Sequence, residues 1–198
     1  MDSHRNKETR KAAEYISSAT RLPLIAVPLF FVVGAATAGL HGVLWALLCL
    51  LLSSGLSLLY LLYLMRTGRV RNPRRISQAE RIGPLRVVAG LHAGGFLVVA
   101  LLGAPAVLQA TLFSYALSTV LFALIAPFKN LSLHTAGISG ATVCLIYVFG
   151  PPGALAALLL PPVWWARSAL GRHTPSELAL GVLVGGGGTW VAFALVIP

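Results

Sequence analysis

Two long stretches of this chain, residues 22–65 and 87–128, contain no Asp, Glu, Lys or Arg. A helix needs roughly 20 apolar residues to cross the hydrocarbon layer of a bilayer, so each stretch could supply two crossings. Charged residues make up 10% of the 198 residues, whereas soluble domains carry about 25%. The sequence therefore predicts an all-α, polytopic transmembrane helical bundle of six to seven spans, with no separate soluble domain.

Turn and polar residues divide the chain into a tail and this bundle. Residues 1–21 are polar and are expected to form a cytoplasmic tail or a short surface helix, and residues 22–198 form the membrane domain. Tight connections are expected at Gly39–Gly42, Gly103–Pro105 and Gly150–Gly153. The predicted spans are 22–40, 43–64, 85–103, 106–126, 135–150, 154–170 and 176–197.

Charge is distributed very unevenly along this predicted topology. All fifteen Lys and Arg residues and all five Asp and Glu residues fall in the tail or in loops that pairs of spans place on the same side. The positive-inside rule then predicts that the tail and these loops are cytoplasmic. The net charge of +10 is thus explained by membrane orientation, and nucleic-acid binding is not expected because no soluble platform presents the basic residues.

Three polar clusters lie on this charged side, and the most informative runs from Arg167 to Glu177. Thr174 followed by Pro175 and then Glu177 is a typical helix start, in which Glu177 is the capping carboxylate. The same carboxylate could also accept the Nδ1 proton of His173, which would leave Nε2 free for attack. The two interpretations are compatible, because a carboxylate has two oxygens.

The other clusters offer cations, a hydroxyl and a second histidine. Arg74, Arg81 and Arg167 have planar guanidinium groups that suit a phosphate, although loop arginines can also be simple orientation signals. Ser132 could cap the helix that follows and help form an anion site at its N-terminus. His134 could protonate a leaving oxygen, or it could be an ordinary interfacial residue.

The glycine run near the C-terminus and the two cysteines are interpreted as structural features. Residues Gly185–Gly188 lie within an apolar span, which favours a close helix–helix contact over a phosphate loop. The two cysteines, Cys49 and Cys144, are expected to be small buried apolar residues. No set of His, Cys or acidic residues has the spacing of a metal site, so no metal is predicted.

The three clusters together resemble the type 2 phosphatidic acid phosphatase family, the membrane relatives of vanadium haloperoxidases. That family carries Lys-x6-Arg-Pro, Pro-Ser-Gly-His and Ser-Arg-x5-His-x3-Asp in this order. The corresponding segments here are Arg74-x6-Arg81-Ile82, then Leu131-Ser132-Leu133-His134, then Ala166-Arg167-x5-His173-x3-Glu177. The order and internal spacings agree over roughly residues 65–190, while Arg74 replaces Lys, Glu177 replaces Asp, and Pro and Gly are missing from the first two motifs.

This resemblance implies a membrane phosphatase that needs no metal or other cofactor. It implies that His173 is the nucleophile, that Glu177 orients it, and that His134 is the general acid for the leaving alcohol. Arg74, Arg81 and Arg167 would bind the phosphate with Ser132, and Lys129 and Arg172 are possible auxiliary residues. The implied substrate is a lipid phosphate or a polyprenyl mono- or diphosphate.

Two alternatives use the same site differently. A prenyl diphosphate lyase or cyclase would ionise its substrate at the same arginines. A non-catalytic membrane protein would only bind or transport a lipid phosphate.

Overall fold

This computed structural model describes the backbone of residues 2–70 and 78–197 and the side chains of residues 7–70 and 80–197. The described residues are helical with no strand, which confirms the all-α prediction. Nine α-helices are described, joined by two π-helical turns, Leu51–Gly55 and Leu183–Gly187, and by one 3-10 segment, Pro151–Leu159. The α-helices are α1 (Asp2–Ala19), α2 (Leu22–Leu50), α3 (Leu56–Arg66), α4 (Gln78–Leu101), α5 (Ala106–Ile125), α6 (Leu133–Phe149), α7 (Leu160–Ala169), α8 (Pro175–Val182) and α9 (Gly188–Val196).

Four stretches of the described chain are long and apolar enough to cross a membrane. They are Leu22–Arg66, Glu80–Leu101, Ala106–Ile125 and Pro175–Val196. The prediction of a membrane-resident helical protein is therefore confirmed in this form. The full count of six to seven spans stays a prediction, because α6 has only 17 residues and so extends roughly 25 Å.

The first of these stretches is folded back on itself inside α2. Ala38 and Gly39 have non-helical backbone angles, and Gly39 adopts a positive φ of 55°. A Cβ placed on either Gly34 or Gly42 would collide with the backbone carbonyl of the other, so the two arms meet backbone to backbone. The predicted tight connection at Gly39–Gly42 is present, with the reversal at its N-terminal edge.

The predicted sixth span has two kinds of helix. Pro151–Leu159 is a 3-10 segment, and α7 continues from it with Pro161 and Pro162 in its first turn. Proline has no N–H to donate, so it is tolerated where a helix begins. The proline pair therefore marks the boundary between the two parts rather than a kink within one helix.

The main core is formed by apolar side chains from both arms of α2 with α4, α5, α6 and α9. Among its completely buried members are Phe30, Val33, Leu108, Leu112 and Phe193. Many other large apolar side chains of the same helices are exposed, including Leu44, Leu97 and Leu195. This outward apolar surface is expected of helices that face lipid rather than water.

Small residues bring the last helical stretch into close contact with α6. A Cβ on Gly181 would meet the Ser132 carbonyl, and one on Gly185 would meet the backbone of Ala136. Two hydroxyls of α6 bridge the same contact: Thr135 Oγ1 donates to the Leu178 carbonyl, and Ser139 Oγ donates to the Val182 carbonyl, each at 3.0 Å. The predicted helix–helix role of Gly185 is confirmed, and the contact fixes the start of α6 beside the start of α8.

Candidate functional site

Residues far apart in sequence converge at the end of the bundle where α6 and α8 begin. Arg81 lies in the first turn of α4, His134 in the first turn of α6, Arg167 in the last turn of α7, and His173 between α7 and α8. Their charges interact: Arg167 and Arg81 both lower the pKa of His173, and Arg167 and His173 both lower that of His134. The structure therefore brings together the described members of all three predicted clusters.

His173 is almost completely buried and is held by a main-chain acceptor. Its Nδ1 lies 2.9 Å from the carbonyl oxygen of Asn130. A carbonyl can only accept, so Nδ1 carries the proton in this hydrogen bond, and Nε2 of the neutral ring has a free lone pair. Burial and the nearby Arg167 lower the pKa of His173 to about 4, so the ring is neutral near pH 7.

Glu177 has the capping role that the sequence predicted. Its Oε2 accepts from the Thr174 backbone N–H at 2.9 Å, and its own N–H donates to Thr174 Oγ1 at 3.4 Å, which completes a capping box. The same Oε2 is 3.6 Å from His173 Nδ1, beyond ordinary hydrogen-bond distance. Glu177 thus acts on the ring through its charge, which raises the pKa of His173 against the effect of burial and Arg167, while the Asn130 carbonyl is the direct partner.

Asn130 joins two of the clusters and was not predicted as a site residue. Besides its carbonyl contact with His173, its Oδ1 accepts from Arg81 Nη1 at 2.9 Å. One residue therefore orients the imidazole with its backbone and the guanidinium with its side chain. The only sequence signal was its place in a short polar stretch, Lys129–Ser132, between two apolar helices.

The C-terminal turn of α1 contacts two of the predicted site residues. His134 Nε2 donates to the Ser17 carbonyl at 3.0 Å, and Arg167 Nη1 donates to Ser17 Oγ at 2.9 Å. Burial and Arg167 lower the pKa of His134 to about 4, so this ring is also neutral near pH 7. The tail is thus a helix, and its oxygens occupy the hydrogen-bonding groups that an anion would need.

Arg167 retains unused hydrogen-bonding capacity. Its Nε is the one buried side-chain nitrogen or oxygen without a hydrogen-bond partner in the described part of the chain. Such an atom is costly unless something satisfies it. Arg172 is close enough for its charge to act on both Arg167 and Arg81, so this end of the bundle concentrates positive charge beside a single acidic residue of the clusters, Glu177.

The remaining predicted residues have more peripheral positions. Ser132 is completely buried, and its Oγ accepts from the Thr135 N–H at 3.4 Å as the cap of α6. Its predicted capping role is confirmed, and its hydroxyl is directed into the helix. Lys129 is exposed and lines a small cavity with Arg81, and Arg172 is exposed. Arg74 lies outside the described residues.

The site is closed in this conformation. The cavity beside Arg81, Lys129 and Asn130 has a volume of about 20 Å³, which is enough for one water molecule. A phosphate needs more room, so the end of α1 or the side chains around it must move to admit one. Among the residues that the structure describes, no three His, Cys, Asp or Glu side chains are grouped closely enough to hold a metal ion.

Comparison with known proteins adds no further assignment. No protein-family model, curated protein or solved structure matches this chain.

Proposed function

We propose that this protein is an integral membrane phosphatase that hydrolyses a lipid phosphate or a polyprenyl mono- or diphosphate through a phosphohistidine. The main support is that Arg81, His134, Arg167 and His173 lie together at one end of an apolar helical bundle, although they come from three distant segments. Asn130 hydrogen-bonds both Arg81 and His173, and Ser17 hydrogen-bonds both His134 and Arg167. Phosphoryl transfer depends mainly on positioning and on stabilising negative charge. Clustered guanidinium groups beside a neutral histidine supply both.

The unpaired Nε of Arg167 supports an anionic ligand. A phosphate oxygen would satisfy this buried donor and would also compensate the positive charge that Arg81, Arg167 and Arg172 concentrate there. A guanidinium presents a planar fork of donors that matches phosphate oxygens. Within the cluster this role belongs to Arg167 and Arg81, with Arg74 as a predicted third cation.

In the proposed reaction, Nε2 of His173 attacks phosphorus. The P–N bond forms as the P–O bond to the alcohol breaks, and His134 gives a proton to the departing oxygen. Water then attacks the phosphohistidine, His134 takes a proton from that water, and the P–N bond breaks to release phosphate and neutral His173. His134 is therefore the acid in the first step and the base in the second. The cycle returns both histidines to their starting states.

The low pKa of His134 fits this cycle only when substrate is present. In the free protein, burial and Arg167 hold the pKa of His134 near 4, so the ring carries no extra proton at pH 7. A phosphate anion between His134 and Arg167 would offset the guanidinium charge and raise that pKa. Binding would therefore prepare the acid at the moment it is needed.

The proposed topology places this site at the cytoplasmic surface of a multi-pass protein of six to seven spans. The support is the positive-inside rule applied to the fifteen basic residues. A substrate of this kind has its phosphate in the interfacial region and its tail among the helices. Chemical labelling of cysteines introduced at Arg86 and at His41, in intact cells and in opened vesicles, would establish the orientation.

The decisive experiment measures phosphate release by the purified protein without added metal. The panel contains phosphatidate, phosphatidylglycerophosphate, and prenyl mono- and diphosphates. We expect release from at least one substrate, its abolition in His173→Ala, and no change in His41→Ala, an exposed histidine that bonds Trp45 at the other end of the bundle. Release that survives in His173→Ala would rule out the mechanism.

The same assay separates the two alternatives. An isoprenoid alcohol with phosphate is the expected product of the phosphatase, whereas a cyclised or eliminated hydrocarbon with diphosphate would identify a lyase or cyclase. Saturable binding of these lipids without any turnover would identify a lipid-phosphate binding protein.

A further inference from the structure

An open apolar groove runs along α6 and is not part of the polar site. Its volume is about 210 Å³, and it is enclosed by the first arm of α2, by α6 and by the 3-10 segment before α7. Every side chain that lines it is apolar. Its walls include Leu29, Val32, Ile138, Ala141, Leu145 and Leu159.

The groove lies on the same face of α6 as His134. Ile138, Ala141 and Leu145 follow His134 by four, seven and eleven residues, a spacing that keeps all four side chains on one stripe of a helix. At 1.5 Å per residue, the three apolar residues lie about 6, 10 and 16 Å along the axis from His134. The groove therefore begins about one turn from the proposed acid and extends away from the charged end.

The start of α2 forms the opposite wall of the same region. Leu22 contacts Gly137 of α6 so closely that a Cβ on that glycine would meet its side chain at 2.6 Å. Ile25, Leu29 and Val32 then continue down α2 along the groove. The groove is thus continuous in direction with the cluster of Arg167, His134 and His173, with positive charge at its head and only hydrocarbon along its length.

We propose that this groove holds a hydrocarbon chain of the leaving alcohol. The proposal rests on the phosphatase function and sharpens it, because it requires a long apolar chain on the alcohol of the substrate and identifies where that chain lies. His134 must reach the oxygen that joins phosphorus to the alcohol, so the first carbons of that alcohol lie directly beside His134. The apolar stripe that continues from His134 is where the rest of the chain then lies.

The groove orients the substrate and contributes little to the affinity for it. A lipid chain that enters from the bilayer leaves one apolar environment for another, so it gains little hydrophobic free energy. Confinement between α2 and α6 instead fixes the direction in which the ester oxygen points. Correct orientation of reacting groups is worth large factors in rate, and a chain that cannot enter the groove would present the oxygen poorly.

The test fills the groove without touching the site. Ala156 is half-buried in the 3-10 segment and lines the groove, whereas Ala154 of the same segment is exposed and does not. In Ala156→Phe we expect kcat/KM for dodecyl phosphate to fall about tenfold or more, since misplacement of the ester oxygen lowers the rate, and kcat/KM for butyl phosphate to stay unchanged. Ala154→Phe is the matched control and should leave both substrates unaffected.

A fall in kcat/KM for dodecyl phosphate but not for butyl phosphate supports the proposed role of the groove. Equal changes in kcat/KM for the two substrates overturn it. If neither substrate is affected by Ala156→Phe, the chain lies elsewhere. If both fall together, the substitution has disturbed the site and the chain-specific role is rejected, provided that the melting temperature of the variant matches that of the wild type.

A second measurement keeps this inference separable from the phosphatase function. Dodecyl phosphate carrying a terminal diazirine is photolysed with the wild-type protein, and the labelled peptides are mapped by mass spectrometry. Label on the Ile138–Leu145 part of α6, reduced in Ala156→Phe, supports the groove even if no phosphate is released, in which case the hydrolytic function alone fails. Release of phosphate with no label on α6 or α2 overturns the groove. Equal labelling by diazirine-bearing dodecane, which has neither the phosphate nor the alcohol oxygen, shows that the groove holds bilayer hydrocarbon only.

Discussion

The two ends of this helical bundle are built by different means. At one end the chain reverses at Gly39, Gly103 and Gly150, each with positive φ, in connections that contain no charged residue. At the other end Arg81, His134, Arg167 and His173 are partly or fully buried. The first end needs only backbone geometry to close, because glycine adopts left-handed angles without strain.

Chain reversal alone does not explain the ionisable residues at the charged end. Ionisable groups at the edge of a membrane bundle are costly and are retained mainly where they have a function. The connections at the uncharged end contain no charged residue, so connection alone does not require an arginine with a buried, unpaired Nε such as Arg167. Gly68 and Gly171 also adopt positive φ at the charged end, so chain reversal is common to both ends. The partly buried ionisable groups are what distinguishes the charged end, and substitutions at either end can break this contrast.

The largest effect is expected at His134, with a substrate that needs an acid. His134→Gln should lower phosphate release from dodecyl phosphate by about 10²- to 10⁴-fold, the usual contribution of a general acid. Release of p-nitrophenolate from p-nitrophenyl phosphate in the first turnover should change little, because p-nitrophenolate departs without a proton. Later turnovers should slow, because His134 also takes the proton of the attacking water. His41→Gln at the uncharged end is the control and should leave both rates unchanged. An equal loss of first-turnover release from both substrates would mean that His134 binds phosphate and does not transfer a proton to the leaving group.

The next largest effect is expected at Arg167. Arg167→Gln removes a half-buried cation from the proposed phosphate site, and we expect kcat to fall by about 10²- to 10³-fold, as for other lost charge stabilisers. Arg86→Gln, at an exposed arginine of the same end, is the matched control and should leave kcat nearly unchanged. A similar loss in both variants would show that net charge, and not the position of Arg167, determines the rate.

Stability should also depend on pH through His173, which is buried, and His134, which is half-buried. Burial and Arg167 hold the pKa of His134 and of His173 at about 4 in the folded protein, against about 6.5 in an unfolded chain. Between these values the unfolded chain binds more protons, so the free energy of unfolding falls as pH decreases from about 6.5 to 4. Each histidine loses about 2 kcal/mol of stabilisation between pH 7 and pH 5. We therefore expect the melting temperature in detergent to drop by roughly 7–15 °C over this range, at 2–4 °C per kcal/mol.

The matched variant for this measurement is His134→Gln, which removes one of the two titrating groups. Its melting temperature should decrease less over the same pH range than that of the wild type. An identical decrease in both proteins would show that His134 does not contribute, and that the pH dependence arises from other groups.

Local features of both ends were predictable because they depend on neighbouring residues. Glycine and proline marked the reversals at Gly103–Pro105 and Gly150–Gly153, and the spacing of Thr174 and Glu177 predicted the capping box that is present. Ser132 was likewise predicted as a cap. The count of six to seven spans stays a prediction, because the hydropathy of a short segment such as α6 does not determine whether it crosses.

Contacts between distant segments were not predictable from the same signals. The Asn130 carbonyl that holds His173 belongs to the main chain, and every residue has the same acceptor. Only the position of Asn130 in the fold makes it the partner of His173. Ser17 accepts a hydrogen bond from Arg167, which is 150 residues away in sequence, although the sequence predicted only a polar tail for the segment of Ser17. Such contacts follow from how helices pack, and no local pattern of one sequence encodes them.

The smallest expected effect concerns this contact of α1 with the site. A phosphate that binds Arg167 and His134 must displace the oxygens of Ser17, so Ser17→Ala, which removes one of the two hydrogen bonds, should make binding easier. A hydrogen bond contributes about 1 kcal/mol net, so we expect kcat/KM to rise by up to about fivefold, mainly through a lower KM. Ser18→Ala, at the exposed neighbouring serine, should have no effect. A lower kcat/KM in Ser17→Ala would instead show that Ser17 holds Arg167 in its active position, which would make the end of α1 a working part of the charged end rather than an obstacle to its ligand.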